Sequence, residues 1–198
     1  MGWVRTSLVL TALAVGVAIS ASGTACVGDS DPCPDYCTTV ATVCGGKTET
    51  KQYIDDATCR AMCATIRQNA ASAKDTIACR VAAKSNVGEV DASDVKLLAS
   101  ACGDMGPYSP LCAGSACTAW CRIALTTCTD MNQQYKTQAE CETACNGFNG
   151  GMTDFVNVTT TTQGNTLTCR LYHLEAASVG PDLHCPHLAP PPKVTPCK

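Results

Sequence analysis

All three histidines of the 198-residue chain, His173, His184 and His187, fall within fifteen residues of one another. Neutral imidazole is a good ligand for late transition metals. Three of them suit Zn or Cu(II), and a haem iron takes one or two. His184 and His187 straddle Cys185, so a bridge at that cysteine would fix the loop that carries them. The covalent haem motif C-x2-C-H is absent, and no carboxylate at clear ligand spacing completes the set. Three readings are therefore open: a metal site, a haem site, or histidines hydrogen-bonded at the surface of a cysteine-rich turn. Arg170 and Tyr172, beside His173, are candidates to support the ligands or belong to helix surface.

The cysteines supply the frame for that chemistry. From Cys33 they run Cys33, Cys37, Cys44, Cys59, Cys63, Cys79, Cys102, Cys112; from Cys117 they run Cys117, Cys121, Cys128, Cys141, Cys145, Cys169, Cys185, Cys197. Each series has a C-x3-C, a third cysteine, a second C-x3-C and three widely spaced cysteines. This is a tandem eight-cysteine arrangement, with repeats at 33–112 and 117–197 joined by Ala-Gly-Ser-Ala. Aligned on the cysteines, Cys79-Arg80-Val81-Ala82-Ala83 matches Cys169-Arg170-Leu171-Tyr172-His173, and Ala101-Cys102-Gly103-Asp104 matches His184-Cys185-Pro186-His187. Every histidine thus stands where the sister repeat has another residue. The scaffold folds without them, which points to a role other than folding.

Seventeen cysteines in 198 residues reach the level of a disulfide scaffold and imply an oxidising compartment. Zinc sites favour short C-x2-C to C-x4-C knuckles with histidine partners, and here only three histidines stand against 17 cysteines. Residues 1–25 read as an export signal: Arg5 is its positive start, Leu8 to Ile19 its apolar run, and Ala21-Ser22-Gly23-Thr24-Ala25 its small-residue end. That run is short of the 20 or so residues that span a bilayer. Cys26 is left over from both octets, and removing it turns an odd count even. Residues 26–32 are then a tether whose Cys26 is the expected lipidation site; the alternative is cleavage after Ala25, leaving Cys26 free or paired between molecules. Gly23-Thr24-Ala25-Cys26 resembles a bacterial lipobox, with Gly23 in place of the usual Leu. The resemblance implies a lipid-anchored envelope protein, the other reading being a secreted one. Without Arg5, 13 basic residues face 17 acidic ones, a net charge of −4. A mildly acidic chain without basic clusters argues against nucleic-acid partners and against binding to anionic headgroups.

Cysteines at i and i+4 lie on one helical face. Two such pairs zip an antiparallel helical hairpin, with outer bridges Cys33–Cys63 and Cys117–Cys145 and inner bridges Cys37–Cys59 and Cys121–Cys141. The twin C-x3-C resembles the hairpins of small mitochondrial intermembrane-space chaperones, which implies shape and not chaperone activity. Helix signals agree: Asp31-Pro32 before Cys33, Gly45-Gly46 after Cys44, Asp55 or Asp56 as a cap, and the capping box Thr137-Gln138-Ala139-Glu140. A third helix is predicted over Asp75 to Lys84, and its counterpart over Thr166 to Ala177. The simplest remaining pairings are Cys44–Cys79, Cys102–Cys112, Cys128–Cys169 and Cys185–Cys197. Asn146 to Thr166 reads as a loop, with a sequon at Asn157-Val158-Thr159, and Pro190-Pro191-Pro192 as an extended stretch.

The fold class expected is all-α, two tandem disulfide-stapled hairpin repeats with irregular loops. With only two Phe and two Trp the core is thin, and bridges of roughly 2–4 kcal/mol each supply what burial does not. No G-x-S-x-G, H-E-x-x-H, redox C-x-x-C or phosphate loop is present, so an enzyme is not expected. The chain resembles the cysteine-rich lipoproteins of myxobacteria-like bacteria, a resemblance that brings no activity with it. The reading is an exported structural or interaction module with an unidentified surface partner, attached to the membrane by its lipid anchor; the alternative is a metal- or haem-binding protein using the histidines of the second repeat.

Overall fold

The computed structural model describes residues 31–69, 74–148, 163–190 and 196–197. The export signal, Cys26, the sequon and most of the proline run lie outside the described residues. Every regular element among them is helical.

The first hairpin pairs α1 (Cys33–Cys44) with α2 (Asp56–Gln68). Asp31 accepts from the Cys33 amide at the start of α1. Gly45 ends it, where a Cβ would stand 2.3 Å from the Ala41 carbonyl oxygen. Asp55 caps α2 by accepting from the Thr58 amide at 2.8 Å. The i, i+4 cysteines face each other across the hairpin, in bridges Cys33–Cys63 and Cys37–Cys59. The second hairpin repeats the plan with α7 (Ala116–Thr127) and α8 (Gln138–Asn146), stapled by Cys117–Cys145 and Cys121–Cys141. Thr137 caps α8 through the Glu140 amide, while Glu140 reaches back to the Lys136 amide.

Between the hairpins come α3 (Ile77–Ala82), α4 (Lys84–Gly88), α5 (Val95–Met105) and α6 (Pro110–Ala113). The helix expected over 75–84 is thus shorter, capped by Thr76 and broken at Ala83. Helix α5 had no sequence expectation, although Asp94 caps it in the ordinary way through the Leu97 amide. Gly114, at φ +89°, makes the turn into α7 in a conformation side chains disfavour, and Ser115 then caps that helix. After α8 come α9 (Leu167–Ala177), α10 (Pro181–His184) and a 3-10 turn over Cys185–Leu188.

The four remaining bridges differ from the expected ones. Cys44 pairs with Cys102, not Cys79, and Cys79 pairs with Cys112, so Cys102–Cys112 does not form. Likewise Cys128 pairs with Cys185, not Cys169, and Cys169 pairs with Cys197, so Cys185–Cys197 does not form. The expectation favoured neighbours in sequence. Instead α5 crosses the C-terminal end of α1, where Cys44 and Cys102 are both buried beside Met105, and Cys79 is left facing α6. Both octets share one connectivity: first to fifth, second to fourth, third to seventh, sixth to eighth.

Small side chains and cystines fill most of the interior, which is continuous from Tyr36 on α1 to Leu188 beyond α10. Its aromatic members are few. Trp120 meets Tyr135 and Phe148 edge-on, and Tyr36 meets Tyr53. Residues 31–198 accordingly form one unit. Polar contacts tie its two halves. Arg122 on α7 pairs with Asp75 at 2.8 Å, the Tyr108 hydroxyl donates to the Leu171 carbonyl, and the Ile54 amide donates to Glu175 on α9.

Candidate metal centre

Helix α9 is buried almost all round, from Leu167 to Ala177, because α7, α2 and the final turns pack on different sides of it. Thr166 caps it through the Cys169 amide, and the Cys169–Cys197 bridge ties it to the chain end. His173 is therefore held on a rigid element, with 5 % of its surface exposed.

His184 ends α10 and His187 lies in the 3-10 turn that follows. Several contacts pin this turn. Cys185 is bridged to Cys128, fully buried Leu188 accepts at its carbonyl from the Tyr135 hydroxyl at 2.6 Å, and Ala189 accepts from Arg170 at 3.2 Å. Asn132 donates to Asp182 at 2.6 Å, which holds the start of α10.

The result is that all three sequence-singled histidines come together. The Nδ1 atoms of His184 and His187 lie 3.1 Å and 3.0 Å from the Nδ1 of His173. One ring nitrogen from each residue lies within 4.8 Å of the other two. An imidazole nitrogen has one in-plane position, filled by either a proton or a lone pair. The His173 Nδ1 can make one good hydrogen bond there, yet it meets two neighbours. Three lone pairs turned on one cation would suit this arrangement, since zinc–nitrogen bonds of 2.0–2.1 Å in tetrahedral array place ligand nitrogens about 3.3 Å apart. Burial lowers the pKa of His184, and burial together with His184 lowers that of His187. Both effects favour the neutral, ligating form.

The sulfurs of Cys169 and Cys197 also lie near His173. They are bonded to each other and offer no thiolate. Tyr172 packs its ring edge-on to His173. Arg170 is not helix surface: it is wholly buried, stacks 3.7 Å from the Phe148 ring centroid, and donates to the carbonyls of Thr166, Ala189 and Cys197. Its likeness to Arg80, which holds the Gly106 and Pro107 carbonyls from the same place after the sixth cysteine, was the signal for this role. Tyr135, Asn132 and Asp182 had no such signal, because their partners are remote in sequence.

Residues 103–192 match the family model described as the BfoA family C-terminal domain, a stretch that contains all three histidines. No curated protein and no solved structure matches the chain.

Proposed function

We propose that this protein is an exported, disulfide-stapled module that holds one late transition-metal ion, zinc or copper, on His173, His184 and His187. The observation that carries the reading is the approach of two Nδ1 atoms to within 3.1 Å of a third on a buried helix. Neutral imidazoles in a facial group match both metals, and copper ranks above zinc in affinity for such donors. Haem is the weaker fit. Its axial ligands lie on opposite faces of the macrocycle, and nitrogens 3.0 Å apart do not straddle one.

The setting follows from the cysteines. Eight bridges belong in an oxidising compartment, and no helix among the described residues is long and apolar enough to cross a membrane. Export by residues 1–25 and anchoring through a lipidated Cys26 account for the cysteine that remains outside the octets. The shared connectivity of the octets supports two modules, 33–112 and 117–197, of common plan. In this view the first module is scaffold and the second carries the metal.

The second reading, a structural or interaction module at the cell surface, rests on the disulfide-rich frame alone. Elemental mass spectrometry of the oxidised protein purified from its host separates the two. The metal reading expects one zinc or copper per chain, lost in the triple His173→Ala, His184→Ala, His187→Ala variant. Equal metal content in both proteins eliminates it and leaves the structural module.

A further inference from the structure

We infer that the metal keeps an open coordination position that takes a small exogenous anion, an inference that rests on the metal reading above. Structural zinc sites are closed by four protein ligands, whereas sites that bind or transform other molecules keep three protein ligands and one exchangeable position. Among the described residues, three donors converge here. The other group that includes His173 adds only the bonded sulfurs of Cys169 and Cys197. His173 forms the buried floor, while His184 and His187 are only partly buried and open the site to solvent.

The charge around the site selects the ligand. Three imidazoles are neutral, so a divalent ion keeps its full charge. One turn before His173 on α9, buried Arg170 adds a second positive charge, and its hydrogen-bond partners are carbonyls. The first module handles the same arginine differently: Arg80 forms an ion pair at 2.7 Å with Asp75, four residues before the sixth cysteine. The residue at that place in the second module is Asn165. An amide thus replaces the carboxylate in the module that has acquired three histidines. A dication held one helical turn after a buried guanidinium whose hydrogen-bond partners are carbonyls attracts an anion to the free position. The class is a small one, such as hydroxide, azide, thiocyanate or a simple carboxylate, because the position lies among three rings whose centroids are 4.3–5.9 Å apart.

The test is visible spectroscopy of the Co(II)-loaded wild-type protein titrated with sodium azide. The expected result is a saturable one-to-one shift of the cobalt bands. Asn165→Asp restores the carboxylate and should weaken azide binding roughly tenfold, the effect of a unit charge at about 12 Å (eight residues at the helical rise) and an effective dielectric of about 20. Cobalt bands that ignore azide overturn the open position while leaving the metal reading intact. Cobalt retained equally by the triple histidine variant overturns the metal reading, and this inference with it. Azide binding that is unchanged in a folded Asn165→Asp protein overturns the role given to the charge of Arg170.

Discussion

Removing a bridge from inside a hairpin should cost less than removing the bridge that carries the chain across the module, although both are equally buried. Cys37–Cys59 and Cys44–Cys102 close sequence separations of 22 and 58. The other bridges change what each one constrains. With Cys33–Cys63 intact, the ends of the missing Cys37–Cys59 bond are joined through a path of about nine residues, for which loop-closure entropy amounts to about 2.6 kcal/mol. With Cys37–Cys59 and Cys79–Cys112 intact, the shortest path between Cys44 and Cys102 is about 40 residues, for about 3.9 kcal/mol. All four cysteines are at most 3 % exposed, so alanine substitution leaves similar voids in the two cases. The double variant Cys44→Ala, Cys102→Ala should therefore be less stable than Cys37→Ala, Cys59→Ala by about 1.3 kcal/mol. Guanidinium unfolding of the non-reduced proteins measures this, with the slope checking that the unfolded states remain comparable. Equal stabilities, or the reverse order, would refute the nested-loop reasoning.

Burial raises the pKa of the Glu175 carboxyl well above its ordinary value. The unfolded chain ionises near pH 4.5 while the folded one stays protonated, so Glu175 costs stability as pH rises, by about 1.4 kcal/mol per pH unit up to the folded pKa. In metal-free protein Glu175→Gln should then raise the melting temperature at pH 8 and change it little at pH 4; a loss at pH 8 would contradict this. Asp75→Asn leaves buried Arg80 without its carboxylate and frees Arg122, for a loss of about 2–3 kcal/mol in urea unfolding. Tyr135→Phe removes the hydroxyl that holds the Leu188 carbonyl beside His187. It should cost about 1 kcal/mol and weaken metal binding roughly tenfold by competition titration, against no change if the turn is held by Cys128–Cys185 alone.

The hairpins were legible because their signals are local. Cysteines one turn apart must share a helical face, and Asp55, Gly45 and Thr137 act within a few residues of themselves. The three histidines stood out against a sister repeat that lacks them. Helix α5 was missed, although Asp94 is an ordinary cap, because its apolar face was not set against a known partner. The buried role of Arg170 was visible only as an unexplained likeness to Arg80.

By itself the sequence determined the oxidising frame, the stapled hairpins and the identity of the three imidazoles, since residue type and short spacing are enough for each. The tertiary structure decided which of the last cysteines in each octet pair and whether the histidines meet. Bridge partners such as Cys44 and Cys102 are chosen by how α5 crosses α1, and the meeting of His173 with His184 and His187 by how the final turn folds back on α9. Both depend on packing between segments far apart along the chain, where many closures have similar entropy and only the buried contacts distinguish them.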